Sequence, residues 1–394
     1  MPFPLPEGGG RRKGNGSNPG QVVLTDQAAT NILFPSLKNS FFSVILNMRC
    51  LVTQQSAPLS VIILAAGKGT RMKSARAKVL HEVFFAPMLH HVLDSVASLK
   101  PAQTLVVVGH QWEAVAASLG GFNAQTVLQE EQLGTGHAVL CCRTSLIDPD
   151  ATILILCGDT PLLRSQTLAD MLSRHQASGA QLTLMTTLLQ DPSNYGRILS
   201  DATGKVQAIV EEKDADPEQK KIREINAGIY CAQGTFLLKA LAQVGTDNAQ
   251  GEVYLTDIVS IATRDKLPVE RYLNPEATDV LGVNSRVELA QAHRELQRRR
   301  NRALMLQGVT LQDPSTTTIA PGIAIGQDTI IEPGVRISGN SRIGQACHLE
   351  SGAILHNCQL GDQVRVSPYC CLTDQIIADQ STVPCHFHGS RGLR

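Results

Sequence analysis

Residues 59–72 read Leu-Ser-Val-Ile-Ile-Leu-Ala-Ala-Gly-Lys-Gly-Thr-Arg-Met, a mainly apolar run that passes into a glycine-rich turn. The run Ser60–Leu64 predicts a strand buried on both faces. Small side chains up to Gly67 would let backbone N–H groups approach an anionic ligand, and Arg71 could pair with a phosphate. The turn lacks the Walker A pattern and a full G-x-G-x-x-G, since Met72 holds the sixth position. A tight connection from strand to helix explains the turn equally well.

Similar apolar runs follow along the chain and alternate with amphipathic stretches. The runs lie at Thr104–Val108, Thr152–Leu156 and Leu182–Thr187, and helical patterns cover Met88–Leu99 and Ser165–Ala177. This alternation predicts an α/β fold whose mainly parallel sheet is covered by helices. Two later strands, Val206–Val210 and Ala227–Cys231, are expected to extend it to a mixed sheet.

Twelve aliphatic residues mark a second kind of repeat in the last quarter of the chain. Most are six residues apart, and two steps are of five residues. They are Ile319, Ile325, Ile331, Ile337, Ile343, Leu349, Leu355, Leu360, Val366, Leu372, Ile377 and Val383. This is the hexapeptide signature of a parallel β-helix, here of about four coils. The pattern predicts fold and leaves function open, because solenoids serve many roles.

Two flanking segments of this repeat carry groups that could bind ligands. A helix is predicted over Asn284–Leu306, and its arginines 298, 299, 300 and 302 could touch phosphates. A solvated helix face is the preferred interpretation. The segment Cys385-His386-Phe387-His388 contains residue types that commonly bind metal ions. We expect it to be part of a disordered tail instead.

Composition and charge exclude several classes of protein. Lys+Arg and Asp+Glu number 35 each, so the formal net charge is zero, which argues against coating of nucleic acid or membranes by bulk charge. No stretch reaches the ~18 uninterrupted apolar residues of a membrane span. The ten cysteines form no C-x-x-C pair, which favours buried thiols in a reducing cytoplasm. The first 57 residues lack periodicity and are predicted to be a disordered extension, with Met48 as a candidate native start.

Seven further motifs accompany the glycine-rich turn in a fixed order. They are LQEEQLGTGHA at 128–138, GDTPL at 158–162, NYGRI at 194–198, IVEEKD at 209–214, EINAG at 224–228, NAQGE at 248–252 and GVNSR at 282–286. Together they resemble the GlmU family, the bacterial bifunctional N-acetylglucosamine-1-phosphate uridylyltransferases and glucosamine-1-phosphate acetyltransferases. The resemblance covers Leu59 to Val383.

The resemblance implies a domain order for the chain. A Rossmann-like nucleotidyltransferase domain would span 58–286, followed by a linker helix at 287–308. A partial left-handed parallel β-helix with a divergent tail would occupy 309–394 and join three chains into a homotrimer. The later coils that carry acetyl transfer in the family have no matching positions, so the chain is expected to be C-terminally truncated and to lack that activity.

The resemblance also implies roles for individual residues. Mg²⁺ would be held by Asp159 and Asn284. Asp159 follows a buried strand, which is the position where open α/β sheets bind ligands. Helix capping is the alternative for both side chains. Arg71 and Lys78 would be the catalytic cations. The nucleotide would contact Leu64, Ala65, Ala66, Gly67, Lys78, Gln129, Gly134 and Thr135, and the amino-sugar would contact Gly196, Glu211, Asn226 and Asn284.

The reaction implied is transfer of UMP from UTP to N-acetylglucosamine 1-phosphate in the cytoplasm, for cell-wall precursor and lipopolysaccharide synthesis, with no nucleic-acid or membrane partner. Cys157 departs from the family, which commonly has tyrosine there, and this weakens the prediction of the sugar. Transfer to another sugar 1-phosphate therefore stays open. A non-catalytic trimeric scaffold is the third interpretation.

Overall fold

The computed structural model describes residues 58–390. The expected N-terminal extension at 1–57 and the last four residues lie outside this range. Within 58–390, no helix is both long enough and apolar enough to cross a membrane.

The first part of the chain forms a mixed sheet covered by helices, as predicted. Its strands are β1 (Leu59–Leu64), β4 (Gln103–Val108), β5 (Gln125–Leu128), β6 (Thr152–Cys157), β7 (Leu182–Leu188), β8 (Arg197–Ser200), β9 (Val206–Val210), β10 (Glu224–Gln233) and β11 (Val269–Leu273), and β2 (Glu82–Val83) and β3 (Ala86–Pro87) form a separate hairpin. The strand order is β11-β7-β10-β6-β1-β4-β5. Strands β5, β4, β1 and β6 are parallel neighbours, whereas β10 runs antiparallel between β6 and β7.

Helices cover both faces of this sheet because its central strands are apolar on both sides. Ile62 of β1 belongs to one core cluster, and its neighbours Val61 and Ile63 belong to the other. The helices are α1 (Met88–Ala97), α2 (Trp112–Ser118), α3 (Thr135–Cys141), α4 (Ser165–Ser178), α5 (Gly234–Leu241), α6 (Asp257–Arg264) and α7 (Ala277–Val280). A long linker helix, α8 (Arg286–Leu306), follows them.

The strand order creates a crevice at the carboxyl ends of β1 and β6. From β1 the chain moves to β4 and β5 on one side, then returns to place β6 on the other side of β1. Connections leave β1 and β6 in opposite directions at such a switch point, which is where open α/β sheets bind ligands. The glycine-rich turn follows β1, and Asp159 follows β6.

After α8 the chain winds into a three-sided parallel β-helix. Its strands are β12 (Thr310–Leu311), β13 (Thr318–Ile319), β14 (Ala324–Ile325), β15 (Ile330–Ile331), β16 (Arg336–Ser338), β17 (Arg342–Ile343), β18 (His348–Leu349), β19 (Ile354–His356), β20 (Gln359–Leu360), β21 (Arg365–Val366), β22 (Cys371–Thr373), β23 (Ile376–Ile377), β24 (Thr382–Val383) and β25 (His388–Ser390). They stack into parallel sheets of five, five and four strands. All twelve repeating aliphatic residues pack in or against one core cluster, which confirms the predicted β-helix.

The prediction of a disordered tail is wrong for residues up to 390. Strand β24 pairs with β21, and β25 pairs with β22 with His388 beside Cys371. His386 stacks on Tyr369 of the preceding coil at a centroid distance of 5.8 Å. The tail continues the coil because neighbouring backbone and ring stacking stabilise it, although its side chains are polar.

The linker helix does not expose all of its arginines, so the expected solvated face needs correction. The Arg299 guanidinium donates to Asp279 at 2.5 Å and to the carbonyl of Leu162 at 2.7 Å. Arg300 donates to the carbonyl of Ile323 in the β-helix. Arg298 and Arg302 fit the expectation, since both are exposed, and Arg298 pairs with Glu295 of its own helix. Arg299 and Arg300 thus fasten the helix to the parts of the chain before and after it.

Ser285 caps the N-terminus of α8 and makes a first testable prediction. Its hydroxyl accepts from the Glu288 backbone N–H at 3.2 Å. Ser285→Ala removes that acceptor and should lower the free energy of unfolding by about 1 kcal/mol, as measured by urea denaturation. Ser285→Asp keeps an acceptor and should retain most of the stability. Equal losses in the two variants would contradict the capping role.

Candidate active site

The turn after β1 is tied to the ends of both neighbouring strands. The Gly158 N–H donates to the carbonyl of Leu64 at 2.9 Å, and the Ala65 N–H donates to the carbonyl of Val107 at 2.8 Å. Ala65 and Ala66 are buried, whereas Gly67 is exposed at the rim. The small side chains therefore bring backbone close to the crevice without filling it.

Lys78 is the central charged group of this crevice. Its ammonium forms an ion pair with the carboxylate of Asp159 and donates to Asn284 Oδ1 at 2.8 Å. The side chains of Lys78 and Asp159 are only 15% and 16% exposed. The structure thus brings together three residues predicted as one site, although 206 positions separate Lys78 from Asn284.

Asp159 and Asn284 are held by their own backbone segments. The Val283 N–H donates to the carbonyl of Asp159 at 2.8 Å. Glu288 accepts from the Asn284 N–H at 2.6 Å, and the Asn284 amide donates to the carbonyl of Gly282 at 3.2 Å. The start of the linker helix therefore fixes the position of one site residue.

A cavity of about 430 Å³ opens beside these groups. Nine of the predicted site residues line it, namely Leu64, Ala65, Ala66, Gly67, Lys78, Gln129, Gly134, Thr135 and Asp159. Its walls carry both charges and hydrogen-bonding groups next to apolar surface, which suits a polar ligand with a planar part.

Gln129 is a buried polar residue of the cavity wall. Its amide nitrogen donates to the carbonyl of Gly134 at 3.1 Å and lies 3.1 Å from His137 Nδ1. These contacts fix the amide, so its carbonyl oxygen keeps a defined orientation. Thr135 accepts from the Leu255 N–H at 3.1 Å, which anchors the start of α3.

Three of the four predicted sugar-binding residues form a group, whereas the fourth, Asn284, contacts Lys78. A side chain at Gly196 would meet Ile209, Glu211 and Asn226, so Gly196 lies directly against the other two. Asn226 is fixed by hydrogen bonds to Tyr230 at 2.6 Å and to the Gly228 N–H at 3.1 Å. Burial raises the pKa of the Glu211 carboxyl.

Cys157 lies between the predicted sugar-binding residues and the cavity. It lines the cavity, and its Sγ lies 3.6 Å from the carbonyl of Gly228. Burial, followed by the charge of Asp159, raises the pKa of its thiol to about 12. The thiol is therefore neutral and a poor nucleophile near pH 7.

Comparison with known proteins shows which family the chain belongs to. Residues 61–222 match the family model of the MobA-like NTP transferase domain. The bifunctional protein GlmU of Desulfotalea psychrophila is 50% identical over 327 residues, which cover 83% of this chain and 96% of that protein. The chain belongs to the GlmU family. The GlmU proteins of Pelobacter propionicus and Geobacter metallireducens are 46% and 47% identical, with 83% and 75% of this chain and 71% and 63% of those proteins covered.

Membership in the GlmU family confirms the predicted enzyme class, that of UDP-N-acetylglucosamine diphosphorylases. The chain is accordingly a sugar-1-phosphate uridylyltransferase that handles nucleotide-sugar substrates.

Arg71 occupies a different place from the other predicted residues. It lies exposed on a short 3-10 helix, Thr70–Met72, and does not line the described cavity. Gly69 and Lys73, on either side of this helix, both have positive φ values, of 60° and 47°. The short helix turns the arginine toward solvent. Its catalytic role stays a prediction.

Sequence reasoning assigned no role to several residues of the cavity wall. Lys68, Val79, Gln132, Ala138 and Glu252 also line it. Four of them lie inside motifs that carry the family resemblance, namely Lys68, Gln132, Ala138 and Glu252. Membership in those motifs is the sequence feature that could have marked them as site residues. Lys68 adds a second cation near the glycine-rich turn, where it could contact phosphate.

Proposed function

We propose that this GlmU-family chain transfers UMP from UTP to N-acetylglucosamine 1-phosphate and releases pyrophosphate and UDP-N-acetylglucosamine, for use in cell-wall precursor and lipopolysaccharide synthesis. The observation that carries the proposal is the contact of Lys78, which lines the cavity, with both Asp159 and Asn284. A cation and two hard oxygen donors meet there next to a backbone turn suited to phosphate.

The residues present fit a divalent cation, and we propose Mg²⁺. Asp159 and Asn284 direct their oxygens at a common positive group, the Lys78 ammonium. One carboxylate and one amide oxygen form a hard donor set of the kind that Mg²⁺ takes together with substrate phosphates. When bound, the ion would neutralise charge on the triphosphate.

The reaction assigned to the site needs no covalent intermediate. The phosphate oxygen of the sugar attacks the α-phosphate of UTP in line, the bond to the β-phosphate oxygen breaks, and pyrophosphate leaves. Lys78 stabilises the charge that builds on the phosphates, and Leu64–Gly67 orient them with backbone groups. Arg71 would contact the same phosphates from the exposed side of the glycine-rich turn. Gln129 would accept from the uracil edge through its carbonyl oxygen.

Gly134 makes a second testable prediction. Its φ is +109°, and a Cβ would lie 2.6 Å from the carbonyl oxygen of Val253, so a larger residue must displace the wall of the cavity. Gly134→Ala should lower kcat/KM for UTP by about tenfold or more in a pyrophosphate-release assay. Gly204→Ala is the matched control, since Gly204 has φ of +81° with nothing within 4 Å. Similar losses in both variants would contradict the steric explanation.

Cys157 supports a second candidate, transfer to another sugar 1-phosphate. A thiol at this position of the wall leaves more room beside Gly228 than the tyrosine common in the family. Glu211 and Asn226 favour the amino-sugar as first choice, because two hydrogen-bonding side chains packed beside Gly196 suit an N-acetyl and hydroxyl pattern.

The remaining parts of the proposal concern assembly and the second family activity. We propose a homotrimer through the β-helix, and no acetyl transfer by the coils between residues 309 and 390. A cytoplasmic location fits the nine described cysteines, all of which are free thiols. Release of CoA from acetyl-CoA with glucosamine 1-phosphate by the purified chain would contradict the second point.

Pyrophosphate release by the purified protein tests the proposal. UTP, CTP and ATP are each supplied with Mg²⁺ and with N-acetylglucosamine 1-phosphate, glucose 1-phosphate or glucosamine 1-phosphate. We expect the highest kcat/KM for UTP with N-acetylglucosamine 1-phosphate. A higher value with another sugar phosphate would favour the second candidate, and no release with any pair would favour a scaffold.

A further inference from the structure

The β2–β3 hairpin turns through two phenylalanines in a backbone conformation that such residues rarely adopt. Glu82 pairs with Pro87 and Val83 pairs with Ala86, so Phe84 and Phe85 form the two-residue loop. Their φ values are 43° and 73°. Hairpin loops with two positive φ values normally contain Asn-Gly or similar pairs, because a Cβ is crowded there. Contacts from outside the hairpin must therefore hold this turn in place.

Those contacts come from the linker helix and from the β-helix. The Phe84 N–H donates to His293 Nδ1 of α8 at 3.2 Å, and the two rings meet edge to face at 5.6 Å. Phe84 is 3% exposed. The Arg336 guanidinium of β16 lies 4.9 Å from the centre of the Phe85 ring, within the range of a cation–π contact.

The base of the same hairpin joins directly to the catalytic lysine. The Met88 N–H closes the hairpin by donating to the carbonyl of His81 at 3.1 Å. The His81 N–H in turn donates to the carbonyl of Lys78 at 3.2 Å, at the end of the 3-10 helix Lys78–Leu80. Arg286, the first residue of α8, lies 3.1 Å from His81 Nδ1. A short hydrogen-bonded segment thus links the phenylalanine turn to Lys78.

We infer that Phe84 and Phe85 are positioning residues. Their contacts with His293 and Arg336, which we call the clasp, hold the hairpin in place. The hairpin in turn keeps Lys78 against Asp159 and Asn284. The β-helix thereby contributes to nucleotidyl transfer through a contact remote from the substrates. The kinetic part of this inference rests on the proposed function, whereas the placement of Lys78 does not.

Chemical labelling of Lys78 tests the placement without any substrate. The full chain is treated briefly with an amine-reactive reagent, and the modified fraction of Lys78 is measured by mass spectrometry. Phe85→Ala keeps the crowded φ but loses the ring contacts, so labelling of Lys78 should rise several-fold. Arg336→Ala, a surface change that leaves the core intact, should raise it in the same direction. Phe85→Tyr keeps the ring and should match the wild type.

Arg342→Ala is the matched control, because Arg342 is exposed on the neighbouring strand β17 and is away from the clasp. Unchanged Lys78 labelling in both Phe85→Ala and Arg336→Ala would overturn the inference. An equal rise in Arg342→Ala would do the same, since it would indicate general loosening.

Kinetics separate positioning from a merely structural role. Phe85→Ala should lower kcat about tenfold with little change in the KM for UTP, since a catalytic group displaced by a fraction of an ångström loses much of its effect. In a Lys78→Met background the same change should cause almost no further loss, because the group it positions is gone. Losses that multiply would contradict the inference. If the wild type is inactive with every substrate pair, the proposed function fails. The labelling result still tests whether the clasp holds Lys78 in position.

Discussion

Asp159→Asn should reduce the rate of pyrophosphate release by about a thousandfold at limiting Mg²⁺, the upper end of the effect of removing one electrostatic group from a preorganised site. The substitution keeps the volume of the side chain and removes its charge. It takes away the only carboxylate that contacts Lys78 among the described residues. The proposed Mg²⁺ ligand and the partner that orients the lysine are lost together.

The fold should survive this substitution, because Asp159 lies at the edge of the cavity and its backbone bond to Val283 does not involve the side chain. The melting temperature and the circular dichroism spectrum check this. Asp170→Asn, an exposed substitution on α4, is the control and should retain normal activity. Near-normal turnover of Asp159→Asn at limiting Mg²⁺ would refute the assignment of this carboxylate.

Lys78→Met should lower kcat by about a hundredfold or more, because the methionine keeps the stem of the side chain but cannot stabilise charge on the phosphates. A second effect distinguishes this variant from Asp159→Asn. The ammonium of Lys78 contacts the same oxygens that we assign to Mg²⁺. Without it, the Mg²⁺ concentration for half-maximal activity should fall, whereas in Asp159→Asn it should rise.

A titration of activity against Mg²⁺ for both variants measures this opposite shift. Lys239→Met, on α5, is the control and should leave both kcat and the Mg²⁺ dependence unchanged. A Mg²⁺ requirement that rises in Lys78→Met would indicate that the lysine does not share oxygens with the ion.

The central strands and the β-helix could be predicted because their patterns are local and repeated. The run at Ser60–Leu64 predicts burial on both faces, and Val61 and Ile62 indeed belong to opposite core clusters. The six-residue period predicts stacking, and Ile337 pairs with Leu355 and Leu355 with Leu372 in successive coils. The five-residue steps shorten a coil by one residue without moving aliphatic side chains out of the core.

The edges of both parts were harder to predict from sequence. Strand β11 reads Val-Glu-Arg-Tyr-Leu and lies at the edge of the described sheet, where it pairs only with β7. Its residues are mostly half-buried, so the strand lacks the apolar run that marks the central strands. Strand β25 has the polar residues that suggested a disordered tail, and its pairing with β22 depends on a coil 17 positions earlier. In both strands, contacts with distant backbone outweigh the local preference.

The site was predictable to the extent that its residues lie in motifs that carry the family resemblance. Spacing alone could not bring Lys78 to Asn284, because the linker helix that positions Asn284 begins only after the last strand of the sheet along the chain. The clasp at Phe84 and Phe85 had no local signal. Two aromatic residues in sequence normally predict core packing, and only the positive φ values and the contacts of His293 and Arg336 reveal the constraint.

Formation of UDP-N-acetylglucosamine by the purified chain is the most direct test of the central claim. The chain is incubated with UTP, N-acetylglucosamine 1-phosphate and Mg²⁺, and the nucleotide sugar is identified by mass spectrometry beside an equimolar measurement of pyrophosphate. We expect both products in equal amounts from the wild type and almost none from Asp159→Asn. Absence of the nucleotide sugar from the folded wild type, or equal formation by the two proteins, would contradict this account of the site.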